Sequence, residues 1–373
     1  MTPHKYLDLE PIFQISVPHP WIIAGPCSAE SQDQLSATAQ GIKDLPGLAA
    51  IRAGIWKPRT RPNGFEGVGS VGLEWLQQVK TDTGKQVTVE VANAQHIREA
   101  LEYGIDLFWI GSRTASNPFS VQEIAEALSG QDVAVLVKNP LSPDLALWIG
   151  ALERLHAAGI KRIGAIHRGF CMGENSPYRN PPHWYKAIQM KNEHPDLPLI
   201  CDPSHIAGKR QFIPEIFQEA LEFGFDGYML EAHNNPQQAL TDAAQQLKPE
   251  ALQELFQRLG FNRLPAEDQQ AARSLKELRC IIDSIDHQML DLLSQRSVIS
   301  DHIGLLKQQK QMTILQQKRW KTVLRDRLRK ARSLGLDEQL ITDIYQMLHH
   351  YSLKIQNRVS GNDMEDIHTS RRV

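Results

Sequence analysis

Four residues of the chain could together bind a metal ion. They are one thiol, one imidazole and two carboxylates: Cys27, His205, Glu231 and Asp242. A set that mixes sulfur, nitrogen and oxygen suits Mn²⁺, Fe²⁺, Co²⁺ or Zn²⁺, because Mg²⁺ prefers oxygen ligands alone. Any one of these residues is more often structural, so the prediction of one divalent Lewis-acid ion depends on all four meeting at one place.

Cationic side chains form a second chemically capable group. They are Arg52, Lys57, Arg59, Arg113, Lys138 and Arg168, with the hydroxyl of Thr60 next to Arg59 in sequence. Each alone is most simply a solvated surface charge, but all of them around one small site would repel one another by several kcal/mol at low dielectric. Phosphorylated substrates, one of which also carries a carboxylate, would balance that charge, and arginine binds such groups through paired hydrogen bonds.

Short apolar segments must position these residues. The segments are Trp21–Cys27, Leu48–Ile55, Val87–Ala92, Leu107–Gly111, Ala134–Asn139, Arg162–Gly169, Pro198–Ser204 and Gly227–Ala232. Strands that are apolar on both faces and alternate with amphipathic helices predict a parallel sheet, and this number of them predicts an α/β fold of the (β/α)8 TIM-barrel type. The candidate residues fall at or after the C-terminal ends of the segments, where such a barrel has its active site. An open doubly wound sheet is the alternative, but no G-x-G-x-x-G follows the first segment.

The pattern changes near residue 261. We predict a barrel domain over 1–261, a linker over 262–272, an all-α three-helix domain over 273–359 and a disordered tail over 360–373. Apolar residues from Leu275 to Leu306 recur at spacings of three, four and seven, which predicts one helix of about 38 residues. Two more helices are predicted over Gln316–Leu334 and Asp337–Val359. Because three helices of this kind pack poorly alone, we expect a homodimer through this domain, and a larger oligomer stays open.

The helical region carries its own cations. Arg279, Arg296 and Lys307 are separated by 17 and 11 residues. At about 100° per residue, the second gap places Arg296 and Lys307 on one helix face, whereas the first turns Arg279 about 100° away from it. Cations on a partly buried face need an anion. A solvated coiled coil and a nucleic-acid surface are alternatives, and the formal net charge of -2 for the whole chain argues against nucleic acid.

Composition suggests the compartment. The start of the chain, MTPHKYLDLEPIF, lacks the pattern of a signal peptide, and no apolar run is long enough to span a membrane. The cysteines are Cys27, Cys171, Cys201 and Cys280, with no C-x-x-C pair, which fits a reducing compartment. We therefore expect a cytoplasmic protein with no membrane partner.

The ordered motifs of residues 25–242 resemble those of the 3-deoxy-D-arabino-heptulosonate 7-phosphate (DAHP) synthase family. They are Gly25–Ser28 (GPCS), Lys57–Thr60 (KPRT), Gly111–Thr114 (GSRT), Lys138–Asn139 (KN), His167–Gly169 (HRG), Asp202–His205 (DPSH) and the stretch from Glu231 to Asp242. The short N-terminal lead resembles the compact type I β branch.

This resemblance implies a metal-dependent, aldol-like condensation of phosphoenolpyruvate with D-erythrose 4-phosphate. Its implied metal ligands are Cys27, His205, Glu231 and Asp242; its implied phosphoenolpyruvate ligands are Arg52, Lys57, Arg113, Lys138 and Arg168; and Arg59 and Thr60 would contact erythrose 4-phosphate. Lys57, or a metal-bound water near His205, is the expected general acid. The sister family that makes 3-deoxy-D-manno-octulosonate 8-phosphate is the alternative, but it carries a different tetrad at Lys57–Thr60.

The helical region is similar to the AroQ-type (type II) chorismate mutase family. The matching positions are Leu278, Arg279, Asp283, Asp286, Leu290, Arg296, Gly304, Lys307, Arg319, Ser352 and Gln356. The resemblance implies a unimolecular rearrangement of chorismate to prephenate in two interlaced chains, with Arg279 reaching the partner's pocket. Arg296, Lys307 and Arg319 would bind the carboxylates and ether oxygen, Gln356 would donate near that oxygen, and Ser352 would line the pocket.

Two positions depart from the mutase pattern. Trp320 stands where the family usually has a Glu that contacts the substrate hydroxyl, and Gln316 stands where an Asp is expected. Two interpretations follow: an active mutase in a bifunctional enzyme, or a weakly active or inactive module for ligand binding, dimerisation and regulation. Because the barrel has no sensor domain of its own, prephenate or chorismate is the expected effector of the synthase.

Overall fold

The computed structural model describes residues 7–13, 19–57, 64–171, 176–259, 270–313 and 316–359. Contacts divide the chain into two compact units at Ile281 and Ile282. Arg59, Thr60, most of the predicted linker and the predicted tail lie outside the described residues. The domain limits given above therefore stay a prediction.

The first unit is a closed barrel of parallel strands in chain order. The strands are β1 (Trp21–Gly25), β2 (Leu48–Arg52), β3 (Gln86–Val91), β4 (Leu107–Ile110), β5 (Ala134–Lys138), β6 (Arg162–His167), β7 (Leu199–Cys201) and β8 (Gly227–Glu231). Pairing of β1 with both β2 and β8 closes the ring. The predicted TIM barrel is confirmed. Most strands end earlier than the apolar segments suggested, so that Cys27 lies in a loop and not in a strand.

Helices follow the strands and cover the outside of the barrel. They are α1 (Gln32–Ile42), α2 (Val71–Thr83), α3 (Ala94–Glu102), α4 (Ser112–Ala115), α5 (Pro118–Leu128), α6 (Leu145–Ala157), α7 (Trp184–Glu193), α8 (Pro203–Ala207), α9 (Ile213–Glu222) and α10 (Pro249–Arg258). Side chains cap several of them. Ser31 caps α1 and Asn93 caps α3, and each accepts the backbone N–H of the residue three positions on. The short helices α4 and α8 directly follow strands and carry Arg113 and His205.

Two apolar layers fill the barrel unit. Inward-facing strand residues such as Trp109 and Met229 pack with Ile12 from the N-terminal segment. A Cβ at Gly164 would lie 2.5 Å from Ile12 Cδ1, so glycine in β6 leaves room for this segment. Outward-facing residues such as Val89 pack against the helices. Among the described residues, side chains therefore fill the barrel interior below the C-terminal strand ends.

The second unit contains the long helices predicted from the apolar periodicity. They are α11 (Gln270–Gln309), which begins in the first unit, α12 (Gln317–Ser333) and α13 (Glu338–Val359). The predicted helical region is confirmed, and the bounds of α12 and α13 lie within one residue of the predicted ones. Gly335 lies in the connection between α12 and α13, in the left-handed region at φ 70°. The Asp337 carboxylate accepts the Leu340 N–H at the start of α13. Among the described residues, no helix is long and apolar enough to cross a bilayer.

Candidate active sites

The mouth of the barrel brings a thiol and two carboxylates together. Ligand atoms of Cys27, Glu231 and Asp242 all lie within 4.8 Å of one another. Cys27 follows β1, Glu231 ends β8, and Asp242 lies in the loop after β8 at φ 48°. Three of the four predicted metal ligands thus form one cluster.

The fourth predicted ligand, His205, borders this cluster. Its Nε2 lies 3.6 Å from Glu231 Oε1, and its Nδ1 lies 2.8 Å from Asp202 Oδ2. The other oxygen of Asp202 accepts the backbone N–H of His205 at 3.0 Å and so caps α8. One buried carboxylate therefore fixes the start of the helix and the orientation of the imidazole.

Electrostatics at the cluster fit a bound cation. Burial, followed by the Glu231 carboxylate, raises the pKa of Cys27 to about 12. Burial raises the pKa of Asp242, but the combined effect of the His205 and Arg179 charges lowers it by more. The net pKa of Asp242 therefore lies well below the usual aspartate range. The thiol thus stays protonated beside ionised carboxylates, its Sγ 3.3 Å from Asp242 Oδ2. A divalent ion would offset the repulsion of these groups and stabilise the thiolate, so the donor set fits a transition metal.

Gln246 connects the two loops that carry Cys27 and Asp242. Its Oε1 accepts the Cys27 backbone N–H at 2.9 Å, and its Nε2 donates to the Thr241 carbonyl at 2.8 Å. The side chain is fully buried. Sequence reasoning did not identify Gln246, because an amide beside a candidate ligand carries no chemical signal of its own.

Three predicted substrate cations already have carboxylate partners inside the barrel. The pairs are Arg52 Nη2 with Glu231 at 3.2 Å, Lys57 Nζ with Glu90 at 3.7 Å and Lys138 Nζ with Asp202 at 2.7 Å. The idea that the whole group of cations needs external anions is therefore wrong for these three. The sequence could not show this pairing, because it depends on barrel closure, which brings β2 to β8, the loop after β2 to β3, and β5 to β7.

Guanidinium groups that follow β4 and β6 lie near one another. Arg168 follows β6 and is buried, and its Nη1 donates to Asn180 Oδ1 at 2.7 Å. Burial lowers the pKa of Arg168 to about 10; Asp202 opposes the shift, while Arg179 and Arg113 add to it. Arg113 is exposed on α4. These neighbours mark a place of high positive potential.

Arg179 is a further cation that the sequence analysis missed. Its Nη1 donates to Asp242 Oδ1 and to Gln245 Oε1, both at 2.9 Å. The amide of Gln245 in turn donates to Glu231 Oε2 at 2.7 Å. Arg179 lies in the loop after β6, and only its nearness in sequence to Arg168 could have suggested it.

The helical unit brings four predicted mutase residues together. Arg296 Nη1 on α11 donates to Ser352 Oγ on α13 at 2.6 Å, and Lys307 Nζ donates to Gln356 Oε1 at 2.9 Å. Ser352 and Gln356 are buried, and burial lowers the pKa of Lys307. Two cations and two neutral polar groups thus line the space between α11 and α13.

The remaining predicted mutase residues lie at the surface of the single chain. Arg279 on α11 and Arg319 on α12 are exposed. Trp320, next to Arg319, stacks on His349 of α13 with ring centroids 4.1 Å apart and planes 7° from parallel. Gln316 directly precedes α12. His349 is a second residue that the sequence analysis missed.

Comparisons with known proteins identify both units. The model of the DAHP synthetase I family matches residues 17–260. The chain belongs to the DAHP synthetase I family. A second model, chorismate mutase type II, matches residues 278–357.

Relatives of this DAHP synthetase I family member support the assignment. Phospho-2-dehydro-3-deoxyheptonate aldolase of Thermotoga maritima is 31% identical over 238 residues, which cover 64% of the chain and 68% of that protein. The crystal structure of a DAHP synthase from the same organism has a TM-score of 0.61 at 28% identity, and covers 69% of this chain and 74% of that one. A 2-dehydro-3-deoxyphosphooctonate aldolase of Nitratidesulfovibrio vulgaris is 28% identical over 240 residues, or 60% of the chain and 84% of that protein.

The two family matches make the chain a bifunctional enzyme of the shikimate pathway, with a DAHP synthase domain and a chorismate mutase domain. The octulosonate synthase alternative is not favoured, because the family model that matches the barrel is that of DAHP synthetase. The sequence-based prediction of both families is confirmed.

Proposed function

We propose that the barrel condenses phosphoenolpyruvate with D-erythrose 4-phosphate at its C-terminal mouth. The observation that carries the proposal is the cluster of Cys27, Glu231 and Asp242 within 4.8 Å, next to the buried cations Arg52 and Lys138. A site for a metal and for anions at one barrel mouth suits two phosphorylated substrates, one of them an aldehyde.

Cys27, His205, Glu231 and Asp242 would hold one divalent ion, and Mn²⁺, Fe²⁺, Co²⁺ and Zn²⁺ all suit this donor set. When bound, the ion supplies Lewis acidity toward the aldehyde oxygen. Asp202 orients the imidazole of His205 for this purpose. The Asp202 carboxylate contacts Nδ1, so that Nε2 points toward Glu231 and the proposed metal site.

The cations of the mouth would hold phosphoenolpyruvate. Arg113 and Arg168 lie near one another and suit its phosphate, and Arg52 and Lys138 suit its carboxylate. Before substrate binds, the Glu231 carboxylate holds Arg52 in place and the Asp202 carboxylate holds Lys138. Arg59 and Thr60 remain the proposed contacts of erythrose 4-phosphate, and they lie outside the described residues.

Lys57 is the proposed general acid for the new alkoxide. Burial lowers the pKa of Lys57, but the Cys27 sulfur, in its ionised form, and the Glu90 carboxylate raise it by more, and the net pKa lies above the usual lysine value. The ammonium group is therefore protonated at neutral pH and can donate a proton when C3 of phosphoenolpyruvate attacks the aldehyde. Water then adds at C2, and phosphate leaves.

The helical unit is proposed to rearrange chorismate to prephenate. Arg296 and Lys307 would bind its carboxylates and ether oxygen, with Ser352, Gln356 and Arg319 completing the site. The cations hold the reactive conformer and stabilise the negative charge that develops on the ether oxygen, so that no nucleophile is needed. Trp320 and Gln316 favour the alternative of a weakly active or inactive module that binds chorismate or prephenate as an effector of the synthase.

A homodimer is proposed through the helical unit. Arg279 and Arg296 are 17 residues apart on α11, which is about 25 Å along a helix. A pocket that contains both guanidinium groups therefore needs two chains. Large apolar residues of α11, including Ile285 and Met289, are about half exposed in the single chain and would be covered in a dimer. The free cysteines support a cytoplasmic location.

The first experiment measures phosphoenolpyruvate consumption by metal-stripped full-length chain, with erythrose 4-phosphate or arabinose 5-phosphate as the second substrate and with each divalent ion in turn. We expect activity only with a transition metal and the four-carbon sugar, and loss of metal binding in Cys27→Ala. Cys171→Ala, an exposed cysteine at the same barrel end, is the control. Full activity of Cys27→Ala in chelator would refute the metal site.

The second experiment measures chorismate turnover and chorismate affinity for Arg296→Ala. We expect both to fall at least a hundredfold, with no change in Arg332→Ala, whose exposed guanidinium pairs with Glu338. Binding without turnover in the unsubstituted chain would favour the regulatory alternative.

A further inference from the structure

Two rings lie beside the cations of the helical unit. Trp320 of α12 and His349 of α13 are both half-buried, and their rings stack at 4.1 Å with planes 7° apart. His349 precedes Ser352 by three residues and Gln356 by seven, so all three side chains share one face of α13. That face is the one that meets Arg296 and Lys307.

Electrostatics also place the imidazole close to these cations. Burial lowers the pKa of His349, and Arg296, Lys307 and His350 lower it further. At neutral pH the ring is therefore uncharged and carries one N–H donor and one acceptor nitrogen. Within the part of the chain that the structure describes, His349 stacks on Trp320 and has no hydrogen bond to either ring nitrogen.

The chemistry of chorismate leaves one group for which the cations are not the natural partners. Two carboxylates and an ether oxygen suit Arg296 and Lys307, whereas the ring hydroxyl needs a group that can accept its hydrogen bond. Trp320 has only a donor N–H and cannot accept a hydrogen bond from it. His349 has both functions, on the same side of the helix as Ser352 and Gln356.

We propose that Trp320 and His349 form the hydroxyl-facing wall of the chorismate site. His349 hydrogen-bonds the substrate hydroxyl, and Trp320 is a positioning residue whose ring holds the imidazole flat against the wall. This inference rests on the proposed binding of chorismate between α11 and α13. It assigns to a tryptophan and histidine pair the recognition that a carboxylate after Arg319 would otherwise supply.

The test compares two ligands by calorimetry on the full-length chain. Both are bicyclic ether dicarboxylates that imitate the rearranging ring, one with the hydroxyl group and one with hydrogen in its place. His349→Phe keeps a flat ring for stacking and removes both nitrogens. We expect it to weaken the hydroxyl ligand about tenfold, the usual size for one neutral hydrogen bond, and to change the affinity of the deoxy ligand less than twofold.

Variants of Trp320 test its positioning role. Trp320→Ala should weaken the hydroxyl ligand selectively, and Trp320→Phe, which keeps a stacking ring, should restore most of the affinity. His350→Phe, at the exposed next position of α13, is the matched control and should change neither ligand.

Each contrary outcome has a distinct meaning. If His349→Phe lowers the affinity for both ligands equally, or for neither, the proposed hydroxyl-facing wall is wrong. If Trp320→Phe does not restore the affinity for the hydroxyl ligand, the positioning role of Trp320 is wrong. If the unsubstituted chain bound neither ligand, or if Arg296→Ala bound both normally, the chorismate site itself would be wrong and the wall with it.

Discussion

Asp202 stabilises three different features at the mouth of the barrel. It caps α8, accepts Nδ1 of His205, and pairs with the buried ammonium of Lys138 at 2.7 Å. Burial raises the pKa of Asp202, but the combined effect of His205 and Lys138 lowers it by more. The net pKa of Asp202 therefore lies well below the usual aspartate value. The ionised carboxylate is therefore part of the folded barrel at neutral pH.

We expect Asp202→Asn to lower the unfolding free energy by about 3–5 kcal/mol, because it leaves the Lys138 charge buried without its partner. A folded-state pKa below the unfolded value gives a contribution that is present above about pH 4 and is lost as the pH falls further. The difference between wild type and variant should thus be largest near neutral pH and should narrow in acid. Denaturant unfolding over a range of pH measures this, with exposed Asp144→Asn as the control. An equal difference at every pH would contradict the ion-pair argument.

Gln246 should determine how tightly the mouth holds its metal. In Gln246→Ala the Cys27 N–H and the Thr241 carbonyl lose their common partner, and the loops that carry Cys27 and Asp242 are no longer tied together. Loss of such a supporting contact typically weakens metal affinity by about 10- to 100-fold. Competition with a chelator measures the affinity, and Gln237→Ala, an exposed glutamine of the same loop, should be unchanged. Unchanged affinity in Gln246→Ala would show that the loops keep their positions without it.

At the residue scale, the sequence predicted which ligand residues come together but not which neighbouring side chains position them. Residue type, together with a position at or after a strand end, was sufficient to select Cys27, Glu231 and Asp242. The partners Glu90, Asp202 and Gln246 were not selected, since an ion pair or an amide bridge between distant segments exists only after the barrel closes.

Strands and helices were easier to predict than their ends and contacts. Every strand overlapped a largely apolar segment of the sequence, because a parallel strand in a barrel is buried on both faces. The early end of β1 at Gly25 could not be predicted, since a Cβ there would lie 2.1 Å from the Arg52 carbonyl oxygen and the close approach follows from the pairing with β2. Similarly, the periodicity of α11 gave its length, whereas its contacts with α13 needed the structure.

Gly304 sets the distance between α11 and α13. A Cβ at this position would lie 3.0 Å from Gln356 Cα, so the backbones approach closely where Lys307 meets Gln356. Gly304→Leu should push the helices apart and lower chorismate turnover by about tenfold or more, because small misplacements of catalytic groups are costly. DAHP synthase activity of the same protein should be retained.

Gly150 in α6 provides the matched control. A Cβ there meets nothing within 4 Å, and Gly150→Ala should be neutral or stabilise the protein by up to about 1 kcal/mol through helix propensity. Steady-state assays of both reactions, together with thermal unfolding, compare the variants. Full mutase turnover in Gly304→Leu would show that the close approach of the helices has no catalytic role.

At the scale of the whole molecule, the two units differ in how completely a single chain buries its apolar residues. The barrel unit has filled inner and outer layers. In the helical unit, Ile285, Met289 and Leu292 remain about half exposed or more. A contiguous exposed apolar surface of this kind marks an interface with another protein surface. The exposed residues of α11 therefore support the proposed homodimer through the helical unit.

Ile285→Glu tests the proposed homodimer. A carboxylate in the apolar stripe of α11 would have to be buried without a partner on dimerisation, at a cost of several kcal/mol. We expect light scattering to show a shift from dimer toward monomer, and chorismate turnover to fall at least tenfold as the Arg279 of a second chain is withdrawn. DAHP formation should fall much less, because a single chain already brings Cys27, Glu231 and Asp242 together. Gln309→Glu, at the exposed end of α11, adds the same charge outside the stripe and should leave both properties unchanged. A monomeric wild type with full mutase turnover would contradict the dimer, since one chain would then supply every group that the rearrangement requires.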